Sequence, residues 1–254
     1  MERVAPAEAA IALSGVSKVY EIGSTRLTAL SDVSLTIHKG EFALIVGRSG
    51  SGKSTLLNLM AGLERPTRGH IRVAGKQIER LGESALVNFR LANVGFVFQS
   101  FNLFATHTAL SNVAMPLMYK GVARPARTRQ ARKMLEAVGL KSHMRHRPTQ
   151  MSGGQQQRVG IARALVTAPK IMFADEPTGN LDSKTSGEIL GLIRRVCKER
   201  GTTLIMVTHD EEMARYADRV IRLLDGHVVS DTVNADPVQP GSDTDEREER
   251  RDDK

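Results

Sequence analysis

The chain has 254 residues, 41% of them hydrophobic and 25% charged, with 36 Lys+Arg against 28 Asp+Glu for a formal net charge of +8. These proportions are ordinary for a soluble globular protein, and the length suits one domain or one domain with a subdomain. No apolar run approaches the roughly 18 residues of a membrane span, Met1–Ala10 carries Glu2 and Glu8 rather than a secretory leader, and a single cysteine, Cys197, excludes an internal disulfide framework and fits a reducing compartment.

Taken in chain order, Ile11–Tyr20 and Val33–Ile37 alternate apolar and polar residues across a polar connection, which predicts antiparallel strands. Phe42–Val46 is a short apolar run bounded by glycine, the pattern of a buried strand. Three similar runs follow at Val94–Phe98, Ile171–Ala174 and Leu204–Val207. Helical patterns at Lys53–Ala61, Gln155–Val166 and Thr185–Arg200 lie between them, so the fold class is α/β with a mainly parallel, two-sided sheet. The stretch from about 101 to 165 reads as helix throughout, long enough for a helical subdomain inserted in the sheet domain. Val220–Leu224 and Val228–Val229, joined by Asp225-Gly226, read as a closing hairpin. The domain is expected to span residues 10–231. From Ala235 the tail is acidic, holds Pro237, Pro240 and Gly241, and has too few apolar residues to build a core, so residues 232–254 are expected to be disordered.

Directly after the Phe42–Val46 run comes Gly47-Arg48-Ser49-Gly50-Ser51-Gly52-Lys53-Ser54-Thr55, a full G-x-x-x-x-G-K-[ST] between a strand and a helix. Glycines let such a loop curl its backbone N–H groups onto phosphate oxygens, and the next helix adds its positive end. Lys53 can reach the β- and γ-phosphates, Ser54 can ligate Mg²⁺, and Thr55 can donate to the α-phosphate. This pattern points to a nucleoside triphosphate. Asp175 and Glu176 end the Ile171–Ala174 run. The first is suited to the Mg²⁺ shell and the second to polarising an attacking water. Met151-Ser152-Gly153-Gly154-Gln155-Gln156-Gln157-Arg158 opens another helix, with Ser152 as a good N-cap and two glycines that permit close backbone approach.

Together these motifs resemble the nucleotide-binding subunit of ATP-binding cassette (ABC) transporters, over about residues 10–230. The stretches Val97-Phe98-Gln99-Ser100-Phe101-Asn102-Leu103 and Glu176-Pro177-Thr178-Gly179-Asn180-Leu181-Asp182 are similar to the lipoprotein-releasing, macrolide-exporting and cell-division branch. Met151 stands where that family usually has Leu, a swap that keeps size and apolarity. The resemblance implies that Tyr20 stacks on the adenine. It further implies that Gln99 contacts Mg²⁺ or the attacking water, and that His209 hydrogen-bonds the γ-phosphate. Ser152, Gly153, Gly154 and Gln155 would face the γ-phosphate held by a second copy, with Asp182 at the interface between the copies. The implied assembly is a head-to-tail homodimer enclosing two ATP molecules with Mg²⁺, peripheral on the cytoplasmic face of the membrane and driving a separate permease. Export or extraction of a lipoprotein, peptide or drug-like substrate is the expected role. The alternative is a mechanotransmitter ATPase that controls a periplasmic activity without moving a solute.

The basic excess sits in one place: Lys120–Arg147 holds nine basic residues and one acid, Glu136. That stretch falls in the expected helical subdomain, which the resemblance brings near the inner leaflet. Met134, Leu135 and Val138 form one helical stripe there, leaving Arg127, Arg129, Arg132 and Lys133 toward solvent and anionic lipid. Nucleic acid is not the expected partner, because only about 100 residues separate Lys53 from Ser152. That interval is too short for the long insertions of DNA-acting relatives, and a single set of motifs is unlike the paired cassettes of translation factors.

Overall fold

The computed structural model describes residues 8–238. The expectations about the leader and the disordered tail fall, respectively, largely and mostly on positions outside those residues. β1 (Ala9–Ile22) and β2 (Thr25–His38) make a long antiparallel hairpin, longer at both strands than their alternation suggests. β3 (Phe42–Val46) leads into α1 (Lys53–Met60). β4 (Arg68–Val73), β5 (Lys76–Gln77) and α2 (Glu83–Asn93) follow in a stretch where the sequence pattern assigns no element. Then come β6 (Val94–Phe98), α3 (Ala109–Tyr119), α4 (Arg124–Ala137), α5 (Gly153–Leu165) and β7 (Ile171–Asp175). The described chain closes with α6 (Ser183–Arg200), β8 (Thr203–Thr208), β9 (Arg219–Leu224) and β10 (His227–Val233).

Two sheets result. The smaller is antiparallel in the order β2-β1-β4-β5, and the larger runs β10-β9-β3-β8-β7-β6. In the larger sheet β9, β3, β8, β7 and β6 are parallel, and only β10 is antiparallel to its neighbour. Both faces of β3, β7 and β8 are covered, which is why these strands read as apolar runs without alternation. Phe42, Leu44 and Val46 of β3 point into one core with α3, α5 and α6, while Ala43 and Ile45 point into the other with α1 and the smaller sheet. Each large apolar side chain buried this way is worth about 1.5–3 kcal/mol, so the central strand is fixed by packing on both sides.

The expectation of helix throughout 101–165 needs correction. Residues 101–108 form no helix, with Phe101 and Asn102 at φ 58° and 48°. Between α4 and α5 the chain turns at Gly139 (φ 80°) and passes through short 3₁₀ turns at Lys141–His143 and Pro148–Gln150. Positive φ stops a helix whatever the apolar spacing around it. The expected stripe of α4 is buried at Met134, Leu135 and Val138. Arg129, Arg132 and Lys133 are exposed, whereas Arg127 is half-buried and donates to the Val122 carbonyl at 3.4 Å. At the other end, Asp225 and Gly226 both have positive φ, the conformation that a two-residue turn needs between β9 and β10. β10 continues to Val233, and Asn234 N donates to the Asp218 carbonyl at 2.9 Å.

Candidate active site

Strand register alone brings four of the expected residues to one edge. Val46 pairs with Thr208, Val207 with Asp175, and Asp175 with Phe98. The next residues along the four parallel strands are therefore Gly47, His209, Glu176 and Gln99, in that spatial order. Strands lie about 4.8 Å apart, so these groups line one edge at the C-terminal ends, the usual ligand side of an open α/β sheet.

The Gly47–Thr55 loop wraps the start of α1. Gly47 has no room for a side chain, since a Cβ would come within 2.3 Å of the Leu223 carbonyl oxygen. Gly52 adopts φ 99°, and a Cβ there would meet the Ala29 carbonyl oxygen at 2.5 Å. α1 starts with no side-chain cap and no acidic residue in its first turn, so its positive end is left for an anion. The Ser51 hydroxyl is buried in the loop without a partner. Lys53 is buried and donates from Nζ to the Gly47 and Arg48 carbonyls at 2.8 Å each, folding over the loop like a latch. Burial lowers its pKa, and the charges of Glu176 and Asp175 oppose that shift. Arg48, Ser49 and Gly50 are exposed on the loop's outer turn, Ser54 is exposed, and Thr55 is half-buried.

Asp175 faces this loop across β8, and Ser54 Oγ donates to its Oδ1 at 3.5 Å. Burial raises the Asp175 pKa, with the neighbouring Glu176 charge adding to it. Ser54 and Asp175 form an all-oxygen pair of the hard type that Mg²⁺ accepts together with water and phosphate oxygens, so the residues fit that ion. Glu176 sits at φ 44° with its N–H donating to the Val207 carbonyl at 3.0 Å, which turns its side chain off the strand. Its Oε1 meets His209 Nδ1 at 2.9 Å. An ionised carboxylate only accepts, so Nδ1 carries the proton and Nε2 is left to face a ligand. Gln99 stands beside Asn180: its Nε2 donates to Asn180 Oδ1 at 3.5 Å, and Asn180 Nδ2 donates back to the Gln99 carbonyl at 3.1 Å. Gly179 makes that approach feasible, because a Cβ there would be 2.8 Å from Gln99 Nε2.

Tyr20 lies on β1 of the other sheet, beside Thr55. Its hydroxyl donates to Glu64 Oε2 at 2.7 Å, and Glu64 also takes Asn58 Nδ2 of α1 at 3.0 Å and Lys18 Nζ at 3.2 Å. Glu64 was not visible as a site residue in the sequence. It is 44 positions from Tyr20 and belongs to no motif.

Ser152, Gly153, Gly154 and Gln155 stand apart from this edge in their bonding. Ser152 Oγ accepts from Gln155 N at 3.3 Å, and Gln155 Oε1 accepts from Ser152 N at 3.1 Å, a reciprocal cap on α5. Gln155 Nε2 also meets His143 Nε2 at 3.3 Å. Gly153 and Gly154 pack against Leu181 and Thr185, so the turn leans on the start of α6, where Asp182 caps the helix through Thr185 N at 3.0 Å. The polar contacts of this turn run within itself and to His143, and none reaches the Gly47–Thr55 loop of the same chain.

Residues 30–179 match the ABC transporter family. The lipoprotein-releasing system ATP-binding protein LolD of Geobacter metallireducens is 50% identical over 216 residues, covering 85% of this chain and 96% of that protein. The macrolide export ATP-binding/permease protein MacB 1/2 of Paracoccus denitrificans is 45% identical over 232 residues, 91% of this chain but 35% of that longer protein. Among solved structures, the ATP-binding cassette MJ0796, a dimer in a post-hydrolysis state bound to ADP and Pi, superposes with a TM-score of 0.81 at 42% identity, covering 88% of this chain and 98% of that one. With a phosphate loop and paired acids at this sheet edge and the Ser152 turn opening α5, the chain belongs to the ABC transporter family, as an ATP-binding and ATP-hydrolysing subunit.

Proposed function

We propose that ATP lies along Gly47–Thr55 with its adenine against Tyr20, and that Glu176 takes the proton from the water that attacks the γ-phosphate. The alignment of Gly47, His209, Glu176 and Gln99 at one sheet edge is the observation that carries this reading. Backbone N–H groups of the loop, the start of α1 and Lys53 bind the phosphates and offset their charge. His209 keeps Glu176 oriented through Nδ1–H and, as the imidazolium with Nε2 also carrying a proton, donates to the γ-phosphate. Gln99 holds the attacking water in line. Ser54 and Asp175, with Gln99 beside them, would hold Mg²⁺, which would supply charge neutralisation at the phosphates.

The Ser152–Gln155 turn acts in trans. Two copies pair head to tail, each turn closing on the γ-phosphate held by the other, and hydrolysis releases the contact that joins them. The absence of any bond from this turn to its own phosphate loop supports that arrangement, and the solved cassette at 42% identity is described as a dimer. No helix among the described residues is long and apolar enough to cross a membrane, which suits a subunit that drives a separate permease from the cytoplasmic face. The cargo class is a lipoprotein or a drug-like or peptide molecule, by likeness to the lipoprotein-releasing and macrolide-export proteins. Arg129, Arg132 and Lys133 on α4 make no ion pair among the described residues and are exposed, a face suited to anionic lipid at about 1 kcal/mol per cation near the surface.

Co-purification from detergent-solubilised membranes tests the partner. An integral membrane protein recovered in fixed ratio, with ATPase activity that responds to it, is expected. Recovery of ribosomes or DNA in its place would overturn this reading.

A further inference from the structure

One side chain on α5 reaches the two strand ends that carry Gln99 and Glu176. Gln157 is 0% exposed. Its Nε2 donates to the Phe98 carbonyl at 3.5 Å and, more closely, to the Pro177 carbonyl. Phe98 immediately precedes Gln99, and Pro177 immediately follows Glu176. The β6–β7 ladder ends at the pair Phe98–Asp175, so this amide ties the two chains together just where their own pairing stops. Further along the helix, Arg163 donates to the Phe101 carbonyl at 2.9 Å and to the Asn102 carbonyl at 2.5 Å. The segment bearing Gln99 is thus held on both sides by α5.

A glutamine retained only for packing would satisfy its own polar atoms. Here Oε1 is buried with no partner, a cost that an apolar side chain of equal size avoids. The amide orientation is dictated by its surroundings: two carbonyls face it, and only an N–H₂ group can donate to both. Gly160, one turn on, leaves space beside the orphan oxygen, since a Cβ there would stand 3.5 Å from Oε1.

We propose that Gln157 is a positioning residue that couples the Ser152 turn to Glu176 and Gln99. Ser152 and Gln157 are five residues apart on one rigid helix, about 7.5 Å of rise. Engagement of the turn by the second copy's γ-phosphate moves α5, and the amide passes that displacement to the backbone on either side of the water site. The proposal rests on the reading of Glu176 as the base and Gln99 as its neighbour at the water. A misplacement of about 1 Å in such a site costs on the order of a hundredfold in rate.

The test compares steady-state ATP hydrolysis by the full chain with that of Gln157→Met and Gln157→Glu. Gln157→Met keeps the volume and removes both donors. Its kcat is expected to fall by about tenfold to a hundredfold with the KM for ATP within about twofold, because nothing that Gln157 touches binds the nucleotide. In Gln157→Glu an ionised carboxylate faces two carbonyls, whereas the protonated acid regains one donor. Its kcat relative to the parent chain is expected to rise as pH is lowered, as burial raises the pKa of the acid and the protonated form regains the donor. A Gln157→Met protein with unchanged kcat overturns the proposal. So does a Gln157→Glu ratio flat with pH, which also decides the matter if Gln157→Met does not fold. Glu176→Gln in the same assay separates the two levels. If it still turns over, the reading of the site fails; if it is inactive while both Gln157 variants are normal, only the coupling role fails.

Discussion

Replacing Lys53 with Met separates the two jobs that its geometry assigns to one ammonium. In the fold, Nζ donates to the Gly47 and Arg48 carbonyls at 2.8 Å, and the side chain is buried. Bonds to a charged group are worth about 1.5–3 kcal/mol each, which alone suggests a large loss of stability. Burial opposes this: it lowers the Lys53 pKa, so the ammonium is held at a desolvation cost that Met removes. Met also matches the unbranched stem. The two effects offset, leaving a net loss of at most about 2 kcal/mol, or less than about 8 °C in Tm for a domain of this size. Nucleotide binding has no such offset, because the phosphates lose a charge-assisted donor worth about 1.5–3 kcal/mol. That is a fall in ATP affinity of about 12- to 150-fold. Titration with a fluorescent ATP analogue and a thermal melt of the same preparation read both quantities. Affinity within threefold of the parent (about 0.65 kcal/mol) would refute the assignment of Lys53 to the phosphates, and a Tm loss beyond about 15 °C would make it a structural latch first.

Two further substitutions and one modification probe the loop and the α6 core. Gly52→Ala forces a side chain into φ 99° and against the Ala29 carbonyl, whereas Gly50, at φ 80°, has open space around a Cβ. Strain and overlap together should cost about 2–5 kcal/mol in Gly52→Ala, against about 1 kcal/mol in Gly50→Ala; equal denaturant midpoints would contradict the stated packing. Burial pushes the Cys197 thiol up to about 12. Its thiolate fraction at pH 8 is then about a thousandfold below that of an ordinary cysteine, so alkylation should await unfolding, and rapid labelling of the native chain would show that the α6 core opens. Because the folded pKa lies above the unfolded one, the thiol stabilises the fold below the unfolded value, and that contribution is lost as pH rises toward about 12.

Much of the site was legible because it is local: Gly47–Thr55 and Asp175-Glu176 each fall within a few residues of an apolar strand. The strand order that unites them, with β8 between β3 and β7, is set by long-range pairing that the parallel class alone does not encode. The turn at Asp225-Gly226 was equally local. What escaped the sequence depends on distance. Glu64 meets Tyr20 across 44 positions, and Gln157 reaches Phe98 across 59 and Pro177 across 20. No spacing rule encodes such contacts. Residues 101–108 misled in a different way: Phe101, Asn102 and Leu103 are compatible with helix by composition, but Arg163 holds the carbonyls of the first two in positive-φ conformations. Arg127 looked solvent-facing by periodicity alone, yet it turns back to cap the Val122 carbonyl at the entrance to α4.

In the proposed mechanism, Glu176, oriented by His209 at 2.9 Å, is the base for hydrolysis of an ATP shared between two copies. Glu176→Gln keeps the shape of the side chain and removes the carboxylate. This variant is expected to bind ATP with parental affinity, lose about a hundredfold to ten-thousandfold in hydrolysis rate, and elute as a dimer when ATP and Mg²⁺ are present. Parental turnover by Glu176→Gln, or a variant that stays monomeric with ATP bound, would contradict this mechanism.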